Sequence, residues 1–236
     1  MKSYTEFITE AFNIVDGKFV FNVDDGISSS FGKSDKLKPF KKKISSDLIS
    51  YSLYNAKSRS DVTKAIKTAT FDEPMNKFIT RSSIYAARVL RDLNVDIIVT
   101  PKSSSPLANT FAKEVQKRTN YDFFIDSFKK TVDMSKVTID RNSPKITPEI
   151  TLSMEKALVR AKKKGFLSVK AFLPQHRKFI QNLFELVDDK LVTKVSGKHV
   201  VIIDDVMTSG TTAQNMYDIL MTHGAEKVTV LTIFKS

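Results

Sequence analysis

The chain has 236 residues, 41% of them hydrophobic, which allows one large or two small globular domains with a sizeable core. It contains no cysteine, which excludes disulfides, thiolate metal sites and cysteine catalysis. No apolar run approaches the roughly 20 residues that a membrane-spanning helix needs, so we expect no membrane partner. The formal charge of +12 and the pI near 9.6 favour polyanionic ligands, either nucleic acid or phosphorylated metabolites.

The first residues predict a short amphipathic helix. Five apolar side chains would share one of its faces: Tyr4, Phe7, Ile8, Ala11 and Phe12. The segment resembles the capsid-targeting leader of internal head proteins from T-even-type tailed phages, which is removed after an Ile-x-Glu or Leu-x-Glu tripeptide. This resemblance implies a leader of residues 1–10, cleavage after Glu10, packaging in the phage head and injection into the host. The alternative is an N-terminal helix that packs on the domain.

The next 60 residues have weaker patterns. Residues 18–23 alternate and predict a short strand. Residues 28–43 predict an exposed loop, whose lysines 41–43 are expected to be solvated, with nucleic-acid contact as the minority interpretation. Residues 61–69 predict a helix capped by Ser60.

A strand, loop and helix unit follows. A periodic apolar face predicts a helix from about Pro74 to Leu93, and residues 94–100 then predict a strand. The loop of residues 101–106 is small and rich in donors, and Leu107 begins another helical pattern. Such a loop at the carboxyl end of a strand is typical of an anion site, although an ordinary capped turn is the alternative.

The segment between residues 121 and 196 predicts one strand and then two helices. The strand begins at Tyr121, and the first helix is capped by Thr147. The second helix is expected to begin near Pro174, with this apolar face: Phe179, Ile180, Leu183, Phe184 and Val187. Basic residues interleaved with Phe could contact DNA, but core packing explains these aromatic residues more simply.

The most informative stretch spans residues 200–212. Its four apolar residues predict a strand buried on both faces, which ends at Asp204 and Asp205. The turn that follows leads into a helix and consists of Thr208, Ser209, Gly210, Thr211 and Thr212. A strand, a tight turn and a helix start form an anion site, and phosphate is its natural occupant. The two carboxylates would suit vicinal hydroxyls, because ionised carboxylates only accept hydrogen bonds.

Phosphate and a diol together describe a ribose 5-phosphate, and residues 200–212 resemble the signature of the type I phosphoribosyltransferase family. A Walker A loop is excluded, because no Gly-Lys-Thr follows at the required spacing. The resemblance implies an α/β fold with a mostly parallel sheet and helices on both faces, spanning residues 11–236. Residues of about 142–196 exceed a minimal domain of this family, so we expect a helical insertion before the phosphate-binding strand.

The resemblance also implies a reaction and assigns residues to it. Phosphoribose would pass from phosphoribosyl pyrophosphate to an acceptor, with release of pyrophosphate. Asp204 and Asp205 would orient the ribose and favour positive charge at the anomeric carbon. The 5-phosphate would be held by Thr208, Ser209, Gly210, Thr211 and Thr212. Mg2+ would bridge the diphosphate and the ribose hydroxyls, and because it keeps most of its water we assign it no direct protein ligand.

The diphosphate candidates lie in the loop after the strand of residues 94–100, where the family keeps its pyrophosphate loop. They are Lys102, Ser103, Ser104 and Ser105. Lys129, Lys130 and Arg141 are weaker candidates, which could meet phosphate charge when a mobile loop closes over the substrate.

The acceptor and the biological role stay open. Purine-salvage relatives carry an aspartate where this chain has Thr208, so the resemblance is nearer to orotate-type and competence-protein-type sequences and a purine acceptor is less expected. The alternatives are a non-catalytic phosphoribosyl-binding protein and a basic, DNA-associated head protein. We expect a cytoplasmic protein, or one that is packaged and injected, and leave open a homodimer.

Overall fold

The computed structural model describes residues 11–15, 18–22, 31–32, 39–56, 66, 71, 73–102, 106–131, 133, 135–164, 172–207 and 209–235. Its strands are β1 (Ala11–Val15), β2 (Lys18–Asn22), β3 (Phe31–Gly32), β4 (Phe40–Lys43), β5 (Ile49–Ala56), β6 (Ile97–Pro101), β7 (Asp122–Lys130), β8 (Thr138–Ile139), β9 (Ile180–Gln181), β10 (Phe184–Leu186), β11 (His199–Met207) and β12 (Lys227–Lys235). The helices are α1 (Glu73–Asp92), α2 (Leu107–Gln116), α3 (Pro148–Lys164), α4 (Asp189–Lys194) and α5 (Thr211–Thr222), with a 3-10 helix at Pro174–Phe179.

A central sheet carries the fold, with the strand order β10-β7-β6-β11-β12-β5-β3 and β4 also paired with β5. The strands from β7 to β5 along this order run parallel to one another. Antiparallel strands complete both edges, β10 beside β7 and β3 and β4 beside β5. The sheet is therefore mostly parallel, as the sequence predicts.

Helices cover both faces of this sheet. Phe78 of α1 and Phe111 of α2 belong to one core cluster, whereas Met154 of α3 and Met216 of α5 belong to the other. The strand β11 shows why its apolar run is continuous: Val201 and Ile203 pack in the first cluster, and Val200 and Ile202 pack in the second. A parallel strand buried on both faces needs apolar residues at every position.

Several predicted elements are confirmed. The helix expected from Pro74 to Leu93 is α1 (Glu73–Asp92), and the strands expected near residues 95, 121, 199 and 228 are β6, β7, β11 and β12. At the start of α3, the hydroxyl of Thr147 accepts a hydrogen bond from the Ile150 amide at 3.3 Å, so the predicted cap is present. In the described part of the chain, no helix is long and apolar enough to cross a bilayer.

The prediction of a second helix in residues 142–196, beginning near Pro174, is wrong. The chain instead forms the 3-10 helix Pro174–Phe179 and the short strands β9 and β10. Asn182 has a φ of 58 and separates these strands, which pair with β8 and with β7. Phe179, Ile180, Leu183 and Phe184 are buried as expected, whereas Val187 is exposed. Ile180 and Phe184 lie in the paired strands, and the other two residues flank these strands. Pairing with available strand edges outweighs a helical spacing of apolar residues.

Three predictions nearer the N-terminus also need comment. Residues 40–43 form β4, which pairs with β5, so the loop predicted for residues 28–43 is wrong at this end. Ala11 and Phe12 belong to β1, because they pair with β2, and not to a helix. Residues 1–10, including Glu10, lie outside the described residues, and of the helix predicted at residues 61–69 only Ile66 is described, as helical.

Candidate functional site

Two loops leave neighbouring strands at the carboxyl edge of the central sheet. The parallel strands β6 and β11 are neighbours, with Val99 opposite Ile202. β6 ends two residues after Val99, at Pro101, and β11 ends five residues after Ile202, at Met207. Paired strands lie roughly 4.8 Å apart. This edge, outside the carboxyl ends of parallel strands, is where open α/β sheets bind ligands.

The turn after β11 has the geometry of an anion site. Gly210 has a φ of +79, in the left-handed region, and occupies the cap position of α5. A Cβ at this position would lie 2.9 Å from Cγ2 of Ile44, so glycine is required for both reasons. Glycine has no side chain to accept hydrogen bonds from the first turn of α5, which leaves these amide groups and the helix dipole to an anion.

Hydroxyl groups add further donors to this turn. The side-chain oxygens of Ser209 and Thr211 lie 3.0 Å apart. Ser209 is exposed, Thr211 is buried and Thr212 is partly buried, so the hydroxyls extend from the surface into the start of α5. Thr208 lies outside the described residues, and its role stays a prediction.

The two aspartates are partly buried and lie within β11, which continues to Met207, so the strand runs two residues beyond the end that the sequence predicted. Pairing of Val206 and Met207 with β12 extends it. The Asp205 amide donates a hydrogen bond to Oδ1 of Asp204 at 2.9 Å. Burial, assisted by the adjacent charge of Asp205, raises the pKa of Asp204 to about 8, and burial also raises the pKa of Asp205. A carboxylate pair that is costly to ionise is suited to a ligand that brings hydroxyl donors or a cation.

The two aspartates could hold Mg2+ only together with further oxygen ligands from a bound substrate or from water. Among the described residues, no group of three or more His, Cys, Asp or Glu side chains could hold a metal ion. Mg2+ is commonly bound by one or two carboxylates together with substrate phosphates and water. Asp204 and Asp205 would therefore be the residues that meet a magnesium ion carried by a phosphorylated substrate.

The loop after β6 lies next to the aspartates. Lys102 is exposed, and its amide donates a hydrogen bond to the Phe128 carbonyl of β7 at 2.7 Å. This bond fixes the first residue of the loop against the neighbouring strand. Ser103, Ser104 and Ser105 lie outside the described residues, so their predicted contact with diphosphate stays a prediction.

The weaker lysine candidates lie farther away. Lys129 and Lys130 end β7, which is separated from β11 by β6, a distance of roughly 10 Å at ordinary strand spacing. Lys129 forms an exposed salt bridge of 3.7 Å with Glu185, and Lys130 is exposed. Arg141 pairs with Glu155 at 2.5 Å. Lys129 or Arg141 could contact phosphate only if its present salt bridge with Glu185 or Glu155 broke.

Two residues of this site were missed at the sequence level. Ile44 lies between β4 and β5, and its side chain occupies the space where a Cβ of residue 210 would lie. No local sequence pattern indicates this proximity. Asn215 is buried in α5, and its side chain donates to the Thr211 carbonyl at 3.1 Å. A lone amide on the apolar face formed by Ala213, Met216 and Leu220 was the signal that could have identified Asn215.

Comparison with known proteins points to one family. The family model of the phosphoribosyl transferase domain matches residues 75–236. No curated protein matches the chain. Solved structures that are similar include a hypoxanthine phosphoribosyltransferase from Staphylococcus aureus, with 13% identity over 67% of this chain and a TM-score of 0.38. The chain covers 63% of that enzyme, a little under two thirds of its length.

Two further solved structures show distant similarity. A purine phosphoribosyltransferase from Pyrococcus horikoshii has 12% identity over 67% of this chain and 82% of its own, with a TM-score of 0.36. A hypothetical protein from Neisseria gonorrhoeae with bound ppGpp has 13% identity over 71% of this chain and 69% of its own, with a TM-score of 0.39.

The family model covers most of the chain, including both loops at the carboxyl edge and the strands that carry them. The chain therefore belongs to the phosphoribosyl transferase domain family. Its mostly parallel sheet with helices on both faces is the type I fold expected from the sequence.

Proposed function

We propose that this protein binds phosphoribosyl pyrophosphate together with Mg2+ and transfers phosphoribose to a nucleophilic acceptor, releasing pyrophosphate. The observation that carries the proposal is the left-handed turn at Gly210, which begins α5 shortly after β11, the strand that carries Asp204 and Asp205. An anion site next to two hydrogen-bond acceptors matches a 5-phosphate next to two ribose hydroxyls.

The residues divide the substrate between them. The first amides of α5 and the hydroxyls of Ser209 and Thr211 hold the 5-phosphate. Asp204 and Asp205 accept hydrogen bonds from the ribose hydroxyls. The loop that begins at Lys102 receives the diphosphate, because it follows β6, the strand that pairs with β11. Mg2+ supplies neutralising charge to the diphosphate when it is bound.

In the reaction, the bond between the anomeric carbon and the diphosphate oxygen breaks, and its electron pair leaves with the diphosphate. The acceptor's lone pair forms the new bond to the same carbon. Positive charge develops on the ribose in between, and the two carboxylates favour it electrostatically. Thr208 stands where purine-salvage relatives have an aspartate, so we expect an acceptor other than a purine base.

The test begins with calorimetric titration of phosphoribosyl pyrophosphate in the presence of Mg2+ and again with EDTA. We expect binding that depends on the metal. A panel of nucleobases and other nitrogen nucleophiles is then screened for pyrophosphate release. Binding with no release across the panel favours the alternative of a non-catalytic phosphoribosyl-binding protein, and absence of binding contradicts both.

One observation supports contact with DNA as a second candidate function. Lys156, Arg160 and Lys163 are exposed on α3 at spacings of four and three residues, so they share one helical face. With a net charge of +12, this face suits a phosphate backbone. The affinity for DNA should fall steeply as salt rises, and a flat salt response contradicts this candidate.

The leader is a separate proposal. If residues 1–10 target the protein to a phage head, mass spectrometry of the protein from virions should find Ala11 as the first residue, after cleavage at Glu10. A chain that retains residues 1–10 in virions contradicts the cleavage.

A further inference from the structure

Three polar side chains form a closed set of hydrogen bonds at the base of the loop after β6. Oγ1 of Thr100 donates to Oδ1 of Asn109 at 3.0 Å, and Nδ2 of Asn109 donates to Oδ1 of Asp126 at 2.7 Å. The Asp126 amide donates to Oγ1 of Thr100 at 2.9 Å, which closes the set. We call Thr100, Asn109 and Asp126 the polar triangle.

The backbone at Asp126 is in an unfavourable conformation. Its φ is 59, in the left-handed region that residues other than glycine seldom adopt. Between the pairs Val99 with Phe124 and Pro101 with Phe128, β6 advances by two residues and β7 by four, so Asp126 lies in a bulge. Bulges and left-handed residues that are held by their surroundings are concentrated near functional sites.

The triangle joins the two described ends of the loop that is expected to hold diphosphate. Thr100 lies near the end of β6, and Asn109 lies in the first turn of α2, so their hydrogen bond joins the two ends of the intervening residues 101–108. Just beyond the bulge, the Phe128 carbonyl accepts the hydrogen bond from the Lys102 amide. The bulge at Asp126 therefore fixes both the base of the loop and its first residue.

We propose that Asn109 and Asp126 are positioning residues, which hold Lys102 and the start of α2 in the arrangement that binds the diphosphate group. This inference rests on the proposed function. Neither side chain has to contact the substrate, because each acts through the described residues that flank the loop. The 5-phosphate site lies on a different strand and helix, so the triangle should affect the diphosphate and not the 5-phosphate.

The matched control is Asn94, which has a φ of 52 and precedes β6 at the opposite edge of the sheet. Alanine replaces a left-handed residue in both Asp126→Ala and Asn94→Ala, so both variants should lose a comparable amount of thermal stability. Only Asp126→Ala also loses the triangle. Asp126→Asn keeps a side-chain oxygen that can accept from Asn109 and tolerates positive φ, so it should restore binding.

The experiment is calorimetric titration with Mg2+ of two ligands, phosphoribosyl pyrophosphate and ribose 5-phosphate, which lacks the diphosphate. We expect Asp126→Ala to bind phosphoribosyl pyrophosphate on the order of tenfold more weakly, with unchanged affinity for ribose 5-phosphate. Asn94→Ala should bind both ligands as the wild type does. If Asp126→Ala does not fold, Asp126→Gly removes the carboxylate without backbone strain and should give the same selective loss.

The outcomes separate the two proposals. If the wild-type protein does not bind phosphoribosyl pyrophosphate, the proposed function fails and this inference fails with it. If the wild type binds, and Asp126→Ala or Asp126→Gly keeps full affinity or loses affinity for both ligands equally, the positioning role is overturned while the proposed function stands.

Discussion

The amide of Leu183, between β9 and β10, donates a hydrogen bond to Oδ1 of Asn215 at 2.9 Å. Asn215 belongs to α5, and its Nδ2 also donates to the carbonyls of Ile180 and Thr211, at 3.0 and 3.1 Å. One buried amide therefore joins the segment around β9 and β10 to Thr211, the first residue of α5. Because these bonds are buried, the two segments are expected to move as one unit.

Replacing Asn215 by leucine should destabilise the protein strongly. The change keeps a similar volume but leaves the Leu183 amide and the Ile180 carbonyl buried without this partner, which costs about 2–4 kcal/mol of unfolding free energy. Urea denaturation measures the loss. Gln214→Leu is the control on the exposed face of the same helix, where the change should stay within about 0.5 kcal/mol. A loss at Asn215 as small as the control's contradicts the structural role.

Gly210→Ala should destabilise the turn for two separable reasons. Positive φ alone costs an alanine about 1 kcal/mol, and contact with Ile44 adds strain. Gly197→Ala isolates the first effect, because Gly197 has a φ of +68 and nothing lies within 4 Å of its added Cβ. We expect Gly210→Ala to cost more than Gly197→Ala, by urea denaturation.

Ile44→Ala provides the second half of this test, because it removes the side chain that the new Cβ would meet. In the Ile44→Ala background, Gly210→Ala should cost only as much as Gly197→Ala does. A double-mutant cycle measures this coupling. Additive losses would show that the contact between Ile44 and residue 210 is not the source of the strain.

The aspartate pair should make stability depend on pH. The pKa of Asp204 is raised from 3.8 to about 8, mainly by burial and then by the charge of Asp205. Between these values the folded protein binds more protons than the unfolded chain. The free energy of unfolding contributed by this group is therefore present at low pH and is lost as pH rises towards 8.

The measurement compares wild type and Asp204→Asn by urea denaturation from pH 5 to pH 9 without Mg2+. The wild type should lose stability relative to the variant as pH rises, because asparagine carries no charge to bury. Burial lowers the pKa of His199, which gives the opposite slope near its ordinary value of 6.5, but both proteins share that contribution. Parallel curves would show that Asp204 ionises without cost.

The sequence predicted the parts of the site that depend on local order. The run from Val200 to Asp205, with a glycine turn and a helix after it, carries its own signals of burial, chain reversal and helix start. The strand-loop-helix unit around Lys102 was predicted for the same reason. Their adjacency followed from a general property of parallel sheets, since carboxyl ends of neighbouring strands share one edge.

Long-range pairing explains what the sequence did not predict. The strand β5 has buried Ser50 and Ser52, and the Ser52 hydroxyl hydrogen bonds to Thr232 of β12 at 2.7 Å. This partner is distant in the chain, so the polar residues gave no sign of a central strand. The partners of Asn215 were hidden in the same way, because Ile180 and Leu183 were predicted to be helical and proved to lie in and beside short strands.

We propose above that Asp204 and Asp205 bind the ribose of phosphoribosyl pyrophosphate. The most direct test is calorimetric titration of this ligand with Mg2+ into the Asp204→Asn, Asp205→Asn double variant, with Asp218→Asn as a control. Burial also raises the pKa of Asp218, which lies farther along α5 and accepts a hydrogen bond from Gln214. We predict that the double variant loses affinity on the order of a hundredfold, about 3 kcal/mol, while the control binds normally. Wild-type affinity in the double variant would contradict the assignment.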